Sequence, residues 1–111
     1  MILGVPVTPT GDVDPRWGRA ARVAVAEVVG GTVRRWDEHE VGWDRLHDEG
    51  LEGGHHARVA RFVQEQRASI VVAGHMGDPM LAMLRRMDID VRLRVSDDAR
   101  LAVLAAAARI D

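Results

Sequence analysis

The sequence contains no cysteine, no lysine and no tyrosine, and its only serines are Ser69 and Ser96. Without cysteine, disulfides and thiolate metal ligands are excluded. Cysteine and lysine are also two common covalent nucleophiles, and the sequence has no Gly-x-Ser-x-Gly motif around a reactive serine. The lack of these nucleophiles and of this motif therefore predicts a protein that is not an enzyme.

Charge and hydropathy argue against two further classes of protein. All 15 basic residues are arginine, 17 residues are acidic, and the net charge is −2. A nucleic-acid-binding domain normally has a basic excess or an array of stacking aromatic side chains. The longest apolar runs, 70–73 and 101–108, are shorter than the roughly 18 residues of a membrane span. No basic segment precedes the apolar start, so we expect no secretory signal and a cytoplasmic protein.

A length of 111 residues with 47% hydrophobic residues predicts one domain over residues 1–111. Its first half has strand-like segments at 2–7, 23–29 and 32–36. The pair Gly30-Gly31 separates the last two segments, and it favours a hairpin because both turn residues need positive φ. The polar segment 37–54 has no apolar periodicity and is predicted to be a long, mobile loop.

The second half of the sequence alternates helix and strand patterns. A helix is predicted at 55–66, a buried parallel strand at 69–73 and another strand at 91–95. Asp78 and Ser96 are predicted to cap the two later helices. The predicted inner face of the last helix consists of Leu101, Leu104, Ala105 and Ala108. The order β-β-β-α-β-α-β-α predicts an α/β fold with a mixed five-stranded sheet and helices packed on it.

Ligands of open α/β sheets bind at the carboxyl ends of the parallel strands. The segments 8–19, 53–56 and 74–78 should meet there. They bring together a set of arginine, histidine, methionine and aspartate side chains: Arg16, Arg19, His55, His56, His75, Met76 and Asp78. Imidazole and thioether groups are ligands for transition metals, so the set predicts a metal or metal-cluster site. The alternative is that the histidines only begin a helix in solvent and stabilise a turn.

Helical geometry separates the two adjacent histidines by about 100°. We therefore expect only one of them to face the site, and we favour His56. His39 and His47 are weaker candidates because they fall in the predicted loop. Arg16 and Arg19 suit a carboxylate or phosphate anion, because the guanidinium group donates two parallel hydrogen bonds.

Five short motifs, in order along the chain, are similar to those of a known family. They are Val5-Pro6-Val7-Thr8, Gly11-Asp12-Val13, Trp17-Gly18-Arg19-Ala20, Gly54-His55-His56-Ala57 and Ala73-Gly74-His75-Met76-Gly77. Together they resemble the dinitrogenase iron-molybdenum cofactor biosynthesis family. The resemblance implies a ribonuclease H-like fold and a role in binding or carrying iron-sulfur or iron-molybdenum cluster precursors.

The sequence departs from this family's pattern at three places, one of which is the proline that comes one position later, at Pro79. Arg16 and Trp17 stand where the family has histidine and phenylalanine before Gly-Arg, so one family histidine is missing. His75 occupies the place of a family glycine, and we interpret it as a replacement ligand.

The leading hypothesis is a non-enzymatic protein that binds a cluster precursor or a single transition metal. In this hypothesis His55, His56 and His75 are the metal ligands. Four further residues contact the cargo or neutralise its charge: Arg16, Arg19, Met76 and Gly77. A cofactor-assembly protein is the expected partner. The alternative is an interaction or regulatory module that binds a partner protein or small anion and has no metal role.

Overall fold

The computed structural model describes residues 1–48 and 53–109. The strands are β1 (Ile2–Pro6), β2 (Val23–Val29), β3 (Thr32–His39), β4 (Ile70–Val72) and β5 (Asp90–Arg92). The helices are α1 (Trp43–Leu46), α2 (Gly54–Gln66), α3 (Asp78–Arg86) and α4 (Ala99–Ala108). The predicted order of strands and longer helices is therefore correct, and α1 adds one helical turn to it.

The five strands form one mixed sheet in the order β3-β2-β1-β4-β5. β2 and β3 form the antiparallel hairpin predicted from Gly30-Gly31, whose φ angles are 57° and 79°. β1 pairs antiparallel with β2 and parallel with β4, and β4 pairs parallel with β5. The prediction of a mixed five-stranded α/β sheet is confirmed.

The sheet separates two apolar cores. On one face, Leu3 and Val5 of β1 pack in a cluster with Val103 of α4. On the other face, Val71 of β4 packs in a cluster with residues of α2 and α3, such as Val59. Neighbouring β4 side chains enter opposite cores because successive strand residues point to opposite faces. β4 is fully buried, as predicted for a parallel strand between two helical layers.

The predicted inner face of α4 is wrong for three residues. Leu101 is 67% exposed, and Ala105 and Ala108 are also exposed. The buried residues are instead Ala99, Ala102, Val103 and Ala106. Nine of the ten α4 residues are apolar, which leaves little periodic signal, and small alanine side chains allow close approach to the sheet.

Two predicted helix caps are also wrong. Asp98, not Ser96, caps α4, because its carboxylate accepts a 3.0 Å hydrogen bond from the Leu101 amide. Asp78 is the first residue of α3 rather than its cap, and the preceding Gly77 takes the N-cap position without a side-chain hydrogen bond.

The predictions for two other segments need correction. β5 ends at Arg92 instead of residue 95, because Arg94 adopts a left-handed conformation with φ of 62°. The predicted loop 37–54 is largely wrong: β3 continues to His39, α1 follows, and α2 begins at Gly54. Residues 49–52 of that predicted loop lie outside the described residues.

The α4 cap gives a direct test of this register. Asp98→Ala is expected to lower the free energy of unfolding by about 1 kcal/mol, because the Leu101 amide loses its acceptor. Ser96→Ala is the matched control and should change it by less than about 0.5 kcal/mol. Urea denaturation measures both, and an equal loss in the two variants would contradict the assignment.

Candidate functional site

The loop after β1 is bound to the turn after β4 through backbone hydrogen bonds. The His75 amide donates to the Pro15 carbonyl at 2.7 Å, and the Trp17 amide donates to the His75 carbonyl at 3.2 Å. Arg16 and His75 thereby form an isolated parallel bridge. The two segments that were predicted to meet at the strand ends therefore lie side by side.

Trp17 anchors this loop in the core. Its side chain is 0% exposed and packs edge-on against Trp43, with 5.1 Å between ring centroids. Gly18 follows and lies close to Met80 of α3, whose Cε atom would be 3.7 Å from a Cβ at position 18. Trp17 thus fixes the position of the backbone that forms one wall of a cleft.

His55 connects the start of α2 to that wall. Its Nε2 atom is 2.7 Å from the Gly18 carbonyl, and its Nδ1 atom is 3.0 Å from a guanidinium nitrogen of Arg58. Because a carbonyl only accepts and a guanidinium only donates, the ring is neutral with its hydrogen on Nε2. Both ring nitrogens are thus engaged, which indicates a structural role for His55 in this conformation.

Burial is the main cause that lowers the pKa of His55 below its ordinary value of 6.5. The hydrogen bond to the Gly18 carbonyl opposes this shift, while the positive charge of Arg58 lowers the pKa further. The neutral ring is the form that fits between Gly18 and Arg58.

A cleft of about 840 Å³ opens at this end of the sheet. Five residues of the predicted set line it: Arg19, His55, His56, Met76 and Gly77. Met76 is almost fully buried, whereas His56 is half-buried and Arg19 is exposed. His56, the histidine that we expected to face the site, thus lies at the cleft together with His55.

His75 and Arg16 lie in a neighbouring groove of about 280 Å³. Arg19, Met76 and Gly77 line both this groove and the larger cleft. The His75 side chain is exposed. The three predicted histidine ligands are therefore divided between two adjacent depressions.

His47 and Asp48 also line the larger cleft, although sequence reasoning gave His47 little weight. The Nδ1 atom of His47 donates to the Trp43 carbonyl at 2.9 Å, which leaves only the Nε2 atom of the ring for another partner. That Nε2 atom is buried, lies 3.0 Å from an Asp48 carboxylate oxygen and has no well-directed hydrogen bond among the described residues. A backbone carbonyl that orients an imidazole in this way is typical of metal-binding histidines.

The described residues contain no group of three or more His, Asp or Glu side chains placed to enclose a metal ion. A metal in the cleft would therefore need further ligands from water or from its own cluster. Within residues 1–48 and 53–109, no helix is long and apolar enough to cross a membrane.

A family model described as dinitrogenase iron-molybdenum cofactor matches residues 1–109 of the chain. The chain belongs to this family. The resemblance inferred from the five short motifs is thus confirmed. Comparison with curated proteins gives no match for this family member.

Two solved structures have the same fold as this dinitrogenase iron-molybdenum cofactor family member. The apo form of the orange protein from Desulfovibrio gigas is 22% identical with a TM-score of 0.77, and the match covers 96% of this chain and 87% of that chain. The crystal structure of PH0822 is 20% identical with a TM-score of 0.72, covering 96% and 89%. At these identities the likeness establishes the fold alone.

The contact between the two loops predicts the effect of a single methyl group. A Cβ at Gly74 would lie 2.8 Å from the Pro15 Cα and 3.0 Å from its carbonyl oxygen. Gly74→Ala is expected to lower the free energy of unfolding by about 1–3 kcal/mol, because backbone must move. Gly77→Ala is the control, since its nearest neighbour is 4.0 Å away. Urea denaturation of both variants tests this, and equal stabilities would contradict it.

The lowered pKa of His55 predicts a pH dependence of stability. The native state favours the neutral ring, so its contribution is complete above pH 6.5 and is lost as the pH falls through 6.5 toward the folded pKa. Free energies of unfolding between about pH 8 and pH 5 should fall more steeply for the wild type than for His55→Gln. Parallel curves for the two proteins would exclude this role of His55.

Proposed function

We propose that this protein is a non-enzymatic carrier that holds a metal cluster precursor in the cleft at the carboxyl ends of β1 and β4. The observation that carries the proposal is the cleft itself. Imidazole, thioether and guanidinium groups line it in a member of the dinitrogenase iron-molybdenum cofactor family. Imidazole and thioether suit transition metals, and the guanidinium suits the negative charge of a cluster.

The size of the cleft supports a cluster over a bare ion. A volume of about 840 Å³ lies within the usual range of sites for whole small molecules. The absence of cysteine leaves histidine, methionine and polar contacts to hold the cargo. Such contacts hold a cluster less firmly than thiolates, which suits a protein that must later release it.

Individual residues take different roles in this proposal. His56 and His47 are the cleft histidines offered as ligands, with Met76 beside them and Gly77 giving backbone contact. Arg19 neutralises charge at the rim. His55 keeps its predicted role as a ligand only if cargo displaces Gly18 or Arg58 from its ring. His75 and Arg16 bind the part of a larger cargo that extends into the neighbouring groove.

The remaining predictions belong to the same proposal. The fold is of the ribonuclease H-like class, the protein works in the cytoplasm, and it receives or delivers its cargo through a cofactor-assembly protein. The second candidate function is an interaction module for a small anion. Exposed Arg16 and Arg19 at the shared groove favour it.

Titration with isolated iron-molybdenum cofactor under anoxic conditions tests the proposal. Iron and molybdenum should elute with the protein on gel filtration, and metal analysis gives the bound fraction. His47→Ala combined with His56→Ala is expected to weaken binding at least about tenfold, because loss of a residue that only supports a metal ligand already costs that much. His39→Ala is the control, because His39 is half-buried at the end of β3 and does not line the cleft.

Two results would argue against a cluster carrier. One is the absence of co-eluting metal, and the other is equal binding by the double variant and the control. Binding of molybdate or phosphate that depends on Arg16 and Arg19 alone would instead support the anion-binding module. Melting temperatures of all variants verify that each one is folded before binding is compared.

A further inference from the structure

We propose that the free edge of β3 joins two copies of this protein into an antiparallel dimer centred on Trp36. Two observations carry this inference. β3 is an edge strand of eight residues, and its central sequence Arg34-Arg35-Trp36-Asp37-Glu38 has opposite charges on the two sides of the tryptophan. The inference does not depend on the proposed cargo.

The outer side of β3 presents unpaired backbone groups. β3 lies at the end of the sheet, and among the described residues it pairs with β2 alone. Beyond that pairing, its last carbonyl, that of His39, accepts from the Val41 amide at 3.0 Å. A long strand edge of this kind is a template for another strand.

The charges of β3 are complementary to those of a second β3 strand only when the two strands run antiparallel. In a two-fold antiparallel pair centred on Trp36, Arg35 lies opposite Asp37 of the second copy. Residues opposite each other in an antiparallel pair point to the same face, so Arg35 of each copy contacts the Asp37 carboxylate of the other. A parallel pair in register would place arginine against arginine, and like charges oppose such pairing.

The side chains of this edge are available for the contact. Arg35 and Asp37 already lie on one face, because their side chains form a 3.2 Å ion pair within the strand. They are 53% and 56% exposed, so a second copy can re-pair them without first breaking a buried contact. The interface needs no buried, uncompensated charge.

Protection against pairing is the alternative explanation for a charged edge. Protective edges commonly use repelling lysines or bulges, and this strand has no lysine. It does have a bulge at its own Arg34, because the adjacent β2 residues Glu27 and Val28 pair with Arg35 and Val33. The segment 35–39 pairs regularly with β2 beyond that bulge. The segment 35–39, which contains Trp36 and the Arg35–Asp37 pair, is therefore regular enough to add a strand.

Trp36 gives the centre of the interface an aromatic pair. Its ring is half-buried beneath the guanidinium of Arg100 at 4.6 Å, and its Nε1 atom donates to Glu38 at 3.0 Å. The two-fold axis places the two Trp36 side chains next to each other on the same face. Cross-strand aromatic pairs are among the contacts that stabilise antiparallel strands.

Charge reversal tests the register as well as the dimer. Sedimentation velocity between about 1 and 100 µM should show a dimer of the wild type. Arg35→Asp and Asp37→Arg should each weaken dimerisation at least about tenfold, because like charges then face each other. An equimolar mixture of these two variants should form a heterodimer, and the double variant carrying both changes should again form a homodimer.

The control reverses charge elsewhere on the surface. Arg61→Asp and Glu65→Arg alter an exposed ion pair on α2 and should leave the dimer unchanged. A wild type that stays monomeric throughout the concentration range would overturn the proposal. So would a dimer that survives both single reversals, or a mixture of the two variants that fails to pair. Circular dichroism melting verifies that every variant is folded.

Discussion

The arrangement of this end of the molecule depends on the burial of Trp17. The indole is fully buried against Trp43, and it draws the loop after β1 onto the sheet. The position of the backbone on either side of the ring is then fixed by hydrogen bonds. Pro15 and Trp17 bond to His75, and the Gly18 carbonyl receives the His55 ring. One buried aromatic residue thereby links β1, β4 and α2 at the place where the cleft opens.

The fold was predictable wherever one signal dominated. Gly30-Gly31 specified the hairpin, and the unbroken apolar run that contains β4 specified a parallel strand between two layers. The predictions were wrong where the local sequence pattern was compatible with more than one structure. Nine of the ten residues of α4 are apolar, so periodicity does not distinguish Leu101 from Val103 as the inward residue. Its register depends on the local cap at Asp98 and on the close approach of the sheet, and only the second of these is a tertiary feature.

The candidate site was predictable in its location and less so in its members. Strand order and the rule for open α/β sheets correctly brought the loop after β1, the start of α2 and the turn after β4 together. The placement of His75 in the groove and of His56 in the cleft was not predictable. It depends on the direction in which the backbone leaves β4 and enters α2. His47 had little weight as a candidate because it fell in the predicted loop, whereas the structure places it at the cleft, after the buried Trp43 that begins α1. The tautomer of His55 depends on the carbonyl of Gly18, which only the folded chain brings near.

The most direct test of a cargo site in this cleft is an NMR spectrum of the protein loaded with paramagnetic iron-molybdenum cofactor. Amide resonances near the metal broaden, so the spectrum maps the position of the cargo without any substitution. The account predicts loss of signals from residues 18–19, 47–48, 55–56 and 76–77, while the amides of α4, on the opposite face of the sheet, remain sharp. Broadening centred on α4, or spread evenly over the surface, would contradict it.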